Sequence, residues 1–271
     1  MSSAVTRELD FPTKGTQSQG PDSGQESVVG PEERVLMFRP IPHADLEWTS
    51  EAPHVTPRER SEAVSRVVNC IVAALALVIL MPVIALIAAL IKLTSRGPVL
   101  YAQTRVGVDR RSGSRTEFDR RKHDFGGRLF QMHKFRTMRI DAEPDGRAVW
   151  AQKDDPRVTA VGRLLRTTRL DELPQLYNVL RGEMNVVGPR PERPSIFHEL
   201  RANIPEYPLR QRVRPGITGW AQINQPYDAC VDDVRRKVRY DLEYMRRQGI
   251  VEDLRIMSMT LPVMFFRKGS R

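Results

Sequence analysis

Cysteine is nearly absent from this 271-residue chain: it has two, Cys70 and Cys230, far apart in sequence. That excludes a disulfide framework and a CxxC metal pattern, and it points to a reducing compartment. Aromatic residues make up only 7%, and no nucleic-acid-binding motif is found, so nucleic acid is not an expected partner. Formal charge is missing altogether from Val67 to Ile91, which sets that stretch apart from any solvated helix. The first 60 residues lack the basic start, short apolar run and small-residue cleavage site of a signal peptide.

What is present is 40% hydrophobic residues, enough for a core, and a formal net charge of +10. The charge is unevenly placed. Residues 1–66 carry seven Lys/Arg against eleven Asp/Glu, so the basic balance belongs entirely to the later part. Such a balance suits an anionic partner: nucleic acid, an acidic membrane surface or a phosphorylated small molecule.

Residues 1–60, rich in Pro, Ser, Gly and Glu, read as a disordered acidic tail. Residues 61–95 contain the uncharged run "VVNCIVAALALVILMPVIALIAALI", bracketed by Arg66 and Lys92. As one helix it is long enough to span a bilayer. Pro82 removes a backbone hydrogen bond and clashes with the preceding turn, so a kink or break is expected near Met81, leaving two arms too short to span alone. Basic residues flank the run on both sides, as in a re-entrant hairpin whose ends stay cytoplasmic. From physics alone the hairpin and a kinked span both remain open.

Residues 96–271 read as the functional domain. "VLYAQTRVG" (99–107) and "RLFQMHKFRTM" (128–138) predict a β-hairpin around a long basic loop over 108–127. Apolar spacing predicts helices over about 158–169, from the Asp171 region to Gly182, over 232–248 and over 251–267, the last interrupted by Pro262. The basic amphipathic pattern of 232–248 fits either a membrane-interface helix or a core-facing one. The expected fold is thus α+β and membrane-associated: a re-entrant helix broken at Pro82, a small β-hairpin and several interfacial helices.

The chemistry centres on "TRLDELPQLYNVLRG" (168–182). Pro174 is tolerated only in a first helical turn, so Asp171 is expected near an N-cap and Glu172 in the first turn. Capping alone would explain both. A helix start is also an anion site, however, and many arginines gather near it. With Mg²⁺ between one carboxylate and phosphate oxygens, the other could attack phosphorus. Downstream, Arg190 is held between Pro189 and Pro191, which suits a fixed bidentate phosphate contact, although a solvated turn reads the same way.

"QTRVG", "HKFRTM", "DPRVTAVGRLLR", "LDELPQLYNVLRGEMNVVGPRPE", "VRPGITGWAQIN" and "DLRIM" occur here in one order. Over residues 61–271 the chain therefore resembles the bacterial sugar transferases, the monotopic phosphoglycosyl transferases. The resemblance implies transfer of a sugar phosphate from a UDP sugar to a polyprenyl phosphate such as undecaprenyl phosphate, with release of UMP. It implies a two-step covalent route with Asp171 as nucleophile, Glu172 as Mg²⁺ ligand, and Arg166 with Pro189, Arg190 and Pro191 as the phosphate-binding set. Lys134 and Arg136 of "HKFRTM" are placed in the same set. It also favours the re-entrant hairpin at Pro82, an inner-membrane location with the catalytic domain on the cytoplasmic face, and a role in the first membrane step of exopolysaccharide or glycoconjugate assembly.

Three departures stand out: Arg169 where relatives often have Ser, Met81 where some small members have Ser, and a long basic 108–127 loop. The competing reading is a membrane-anchored basic binding or scaffold protein without catalysis, in which the carboxylates only cap a helix. A homo-oligomer is compatible with either reading.

Overall fold

The computed structural model describes residues 56–109, 126–142, 155–225 and 231–266. Nearly all of the 1–60 tail and of the 108–127 loop therefore lies outside the described residues.

The uncharged run forms one helix, α1 (Glu62–Thr94), with Pro82 inside it. At about 1.5 Å per residue it is roughly 50 Å long. The expected break at Pro82 is not a division into two helices, because helical geometry resumes on the far side of the proline. Ser61 caps the start by accepting a hydrogen bond from the Val64 amide. At the other end the Ser95 amide and hydroxyl both donate to the Ile91 carbonyl.

Both arms of α1 lean on the same body. Ala73 is buried against Phe130, Met132, Leu176, Val179 and Met184, while Ile87 and Ile91 are buried against Phe135 and Leu165. The middle is bare: Val78 and Ile79 are 71% and 72% exposed, and Met81 and Leu86 are exposed too. An apolar helix surface left open in this way marks contact with a membrane or a partner.

Polar side chains fasten the N-terminal arm. The guanidinium of Arg66 donates to the carbonyls of Val179 and Leu180. Asn69, buried in the apolar run, accepts from the Val186 amide at 2.6 Å. Just upstream, Arg60 pairs with Asp253 at 3.1 Å.

The hairpin forms as expected. β1 (Leu100–Val106) runs antiparallel to β2 (Leu129–Phe135), with Leu100 opposite Phe135 and Val106 opposite Leu129. α2 (Ala160–Thr167) follows, capped by Thr159. After a 3-10 turn (Leu170–Glu172) comes α3 (Gln175–Arg181), which ends on Gly182 in the left-handed conformation, as that glycine's position promised. Asn178 joins α3 to β2, accepting from the His133 amide and donating to the Gln131 carbonyl.

β3 (Asn185–Val187) pairs in parallel with β4 (Gly216–Thr218). The backbones of Gly188 and Gly216 approach so closely that a Cβ on Gly216 would stand 2.1 Å from the Gly188 nitrogen. α4 (Pro194–Asn203) and a 3-10 segment (Tyr207–Arg212) lie between these strands in sequence, and α5 (Trp220–Asn224), α6 (Val231–Arg247) and α7 (Ile250–Phe266) complete the chain.

The main core gathers Val106, Val187, Phe197, Tyr207, Trp220, Val234, Val238, Leu242, Met245 and Ile256. α6 spends its apolar stripe on this core, the core-facing one of the two arrangements that its pattern allows. α7 passes through Pro262 without interruption and leaves Ile250, Val251 and Leu254 exposed.

Candidate active site

A pocket of about 840 Å³ opens between the hairpin, the end of α2 and the Pro189–Pro191 segment. Asp171 and Glu172 lie in its wall, and so do the cations Arg105, Lys134, Arg136, Arg139, Arg166, Arg169, Arg190 and Arg193. Every site residue expected from sequence, except Pro189, Pro191 and the membrane residue Pro82, lines this one cavity.

The carboxylate pair does not stand in the first turn of α3, as "DELP" suggested. It occupies the separate 3-10 turn, and Pro174 is the N-cap residue of α3. The turn is entered through Arg169, whose φ of 56° places it in the left-handed region. Among the described residues no other non-glycine has a positive φ. Such a conformation is held only where its surroundings impose it, and functional sites are where it collects.

The two carboxylates differ in their contacts. Both Glu172 oxygens face Arg190, at 2.5 and 3.2 Å, and Oε1 also accepts from Lys134 Nζ at 3.0 Å. For Asp171 the one ion pair among the described residues is the long contact to Lys134, at 3.9 Å.

Ionisation follows from this. Burial pushes the Asp171 carboxyl above the usual aspartate range, with only partial opposition from Lys134. Burial acts on Glu172 in the same direction, but Arg190 and Lys134 outweigh it and hold that carboxyl well below the usual range. Burial lowers Lys134, and Glu172 restores part of the loss.

A stability prediction follows. Glu172 and the half-buried Glu192, which Lys237, Arg105 and Arg210 hold low against desolvation, both have depressed folded values. As pH falls through the usual carboxylate range, about 4–5, the unfolded chain takes up these protons first. Stability is therefore fully present above that range and lost below it. Asp171 and Asp253, raised by burial, act in the opposite sense, so the effect is read by difference: the fall in melting temperature from pH 7 to pH 4 should be smaller in Glu172→Gln than in the unaltered protein, and equal falls would contradict the assignment.

The prolines act through their carbonyls. Having no N–H, Pro189 and Pro191 can only accept, and the segment is pinned by donors from elsewhere. The Gly216 amide reaches the Pro189 carbonyl at 3.0 Å and Arg105 Nη1 reaches that of Pro191 at 3.0 Å. Arg166 is braced by Thr137 Oγ1, which accepts from its Nε at 2.9 Å.

Arg136 departs from expectation. It lines the pocket, but its guanidinium donates to Ser95 Oγ at 2.7 Å, to the Ser95 carbonyl at 3.0 Å and to the Arg96 carbonyl. It fastens the end of α1. Sequence reasoning also passed over Arg105 and Thr137. Both sit inside quoted motifs, "QTRVG" and "HKFRTM", and that position was the available signal.

Among the described residues no group of three or more His, Cys, Asp or Glu could cage an ion. Two neighbouring carboxylates on a cationic wall nevertheless suit Mg²⁺, which keeps several waters and is commonly held by one or two carboxylates plus substrate phosphates. Asp171 and Glu172 thus fit such an ion if a diphosphate arrives with it.

Fold and site together define an α+β body carried on a long apolar helix, with an acidic pair set in a cation-lined pocket. A family model described as bacterial sugar transferase matches residues 60–267. This chain belongs to the bacterial sugar transferase family.

The chain is 42% identical over 204 residues to an undecaprenyl-phosphate glucose phosphotransferase of Komagataeibacter xylinus, covering 72% of this chain and 35% of that one. It is 38% identical over 208 residues to a UDP-N-acetylgalactosamine-undecaprenyl-phosphate N-acetylgalactosaminephosphotransferase of Aeromonas hydrophila, covering 77% and 45%. It is 37% identical over 237 residues to a UDP-glucose:undecaprenyl-phosphate glucose-1-phosphate transferase of Escherichia coli K12, covering 85% and 47%. The chain therefore spans less than half the length of each of these relatives.

Proposed function

We propose that this chain is a membrane-bound phosphoglycosyl transferase that moves a sugar 1-phosphate from a UDP sugar to a polyprenyl phosphate and releases UMP, opening the assembly of a lipid-linked glycan. The observation that carries this reading is the unequal carboxylate pair: one gripped by cations and one nearly unpaired, in a pocket walled by arginine beside an apolar helix. The names of the relatives point the same way. They include both glucose and N-acetylgalactosamine donors at similar identity, so the sugar is left unassigned.

In this mechanism Asp171 is the nucleophile. One of its carboxylate oxygens attacks the sugar-bearing phosphorus, an O–P bond forms to the aspartate, the bridging P–O bond breaks, and UMP leaves with its electron pair. An oxygen of the polyprenyl phosphate then attacks the same phosphorus, the aspartyl O–P bond breaks, and Asp171 is regenerated as the carboxylate. Arg166, Arg190 and Lys134 balance the negative charge that builds up in both steps. Mg²⁺ held by Glu172 would neutralise the diphosphate oxygens and keep them from repelling the attacking carboxylate. Arg136 holds the pocket wall to α1.

Protein in lipid nanodiscs, supplied with undecaprenyl phosphate, Mg²⁺ and a panel of UDP sugars, is expected to release UMP with at least one of them and to stop when EDTA is added. No release with any donor would remove the reading, and release unaffected by EDTA would remove the metal from it.

The membrane arrangement belongs to the same proposal. Both arms of α1 contact one body and both ends are fixed to it by polar side chains, so α1 is read as dipping into the cytoplasmic leaflet of the inner membrane and returning near Pro82. Single cysteines at Ser61 and at Thr94 are expected to react with an impermeant maleimide only from the cytoplasmic side. Labelling of either from the periplasm would establish a full span. The anchored-binder alternative has no specific observation in its favour.

A further inference from the structure

The Arg190 carbonyl is pinned in an unusual way. Pro189 and Glu192 accept from backbone amides, those of Gly216 and Val106, whereas the two carbonyls between them accept from side chains: Pro191 from Arg105 on the hairpin, and Arg190 from the buried Arg210 Nη2, at 3.1 Å. Arg210 is 1% exposed and is held by Asp241 Oδ2 on α6, which accepts from its Nε at 2.6 Å. The guanidinium also lies over the Tyr207 ring at 4.8 Å. Its Nη1 is buried with no hydrogen-bond partner among the described residues.

A buried ion pair is a poor stabilising device. Desolvating both charges costs about as much as their attraction returns, and apolar residues of similar volume often do better. The orphaned Nη1 adds to that cost. What the pair achieves is geometric: it connects the centre of α6 to the backbone carbonyl of the residue whose side chain reaches Glu172.

We propose that Arg210 and Asp241 are positioning residues for the transfer reaction, fixing the Arg190 backbone so that its guanidinium meets Glu172 and the substrate phosphates in one geometry. The inference rests on the function proposed above. Arg210 touches no reacting atom and acts on the site through Arg190.

The test uses the full chain in nanodiscs, with Arg210→Lys and Asp241→Asn as variants and Tyr244→Phe as control. Tyr244 also lies on α6; its hydroxyl meets Asp253 at 2.7 Å and the Val187 carbonyl at 3.3 Å, and none of these three residues lines the pocket. Misplacement of this kind lowers kcat by about 10- to 100-fold, with KM for the UDP sugar staying within about threefold. Tyr244→Phe is expected to lower the melting temperature while leaving kcat unchanged. In an Arg190→Lys background Arg210→Lys should add nothing, because the group it positions is already altered. Additive losses, or losses in kcat that follow melting temperature across all three variants, would overturn the proposal.

A second readout needs no turnover. Phenylglyoxal labelling, mapped by mass spectrometry, is expected to modify Arg190 several-fold faster in Arg210→Lys and Asp241→Asn than in the unaltered protein, with Arg163 and Arg181 unchanged. Equal rates at Arg190 would overturn the proposal. If no UDP sugar supports turnover, the proposed function falls, and labelling still decides whether Arg210 places Arg190.

Discussion

Asp171→Asn is expected to lower UMP release by at least about 10,000-fold, the scale on which loss of a covalent nucleophile is felt. The amide keeps the shape of the carboxylate but has no charge with which to attack phosphorus. The fold should not suffer. Burial already pushes the Asp171 carboxyl upward, which means that the folded protein disfavours its ionised form. Neutralising it relieves that cost, and the variant should melt at the same temperature as the unaltered protein or higher. Loss of activity with retained or increased stability is the outcome expected of a site where charge is kept for chemistry at the expense of the fold. Full UMP release by this variant would remove Asp171 from the reaction.

Glu172→Gln should behave in the opposite way on stability. Glu172, itself buried, is the counter-charge for two half-buried cations, Arg190 and Lys134. Removing its charge leaves both short of a partner, at a cost of about 3 kcal/mol. For a body of roughly 200 residues that corresponds to a fall of about 6–12 °C in melting temperature. UMP release should also drop roughly 1,000-fold, through loss of phosphate charge balance and of the proposed metal ligand. An unchanged melting temperature would show that the pair with Arg190 contributes nothing. Adjacent residues whose isosteric amides shift stability in opposite directions are hard to explain as two caps of one helix, so the pair of measurements separates a reaction centre from a capping role.

The parts of the fold legible in the sequence were those written in local spacing. "VLYAQTRVG" and "RLFQMHKFRTM" carried their own turn and strand signals, and Gly182 marked a helix end where the backbone does turn left-handed. The pocket was legible in outline, because its residues cluster in a few short motifs. What escaped notice depended on distant partners. Nothing near Arg136 in sequence indicates that Ser95 and Arg96 claim its guanidinium. The 3-10 turn was hidden for a related reason. Asp-Glu-Leu-Pro has the composition of a helix start, but the left-handed backbone at Arg169 opens a separate 3-10 turn over Leu170–Glu172, and α3 begins only after Pro174. Arginine is not a residue that announces a positive φ. Asn69 and the Arg210–Asp241 pair were equally silent: each is polar, buried and answered by a group more than 30 positions away.

The fastening of α1 at both ends has a consequence for how the substrates would meet. Arg66 secures one arm to the end of α3, and Arg136 secures the other to the wall of the pocket. On the proposed topology the depth of the helix in the bilayer fixes the height of Asp171 above it. A lipid acceptor, whose phosphate already rides at the headgroup level, would reach the aspartate by lateral diffusion without leaving the membrane. Only the water-soluble donor would approach through three dimensions. The supply of the two substrates would then be governed by different quantities, area density for one and concentration for the other.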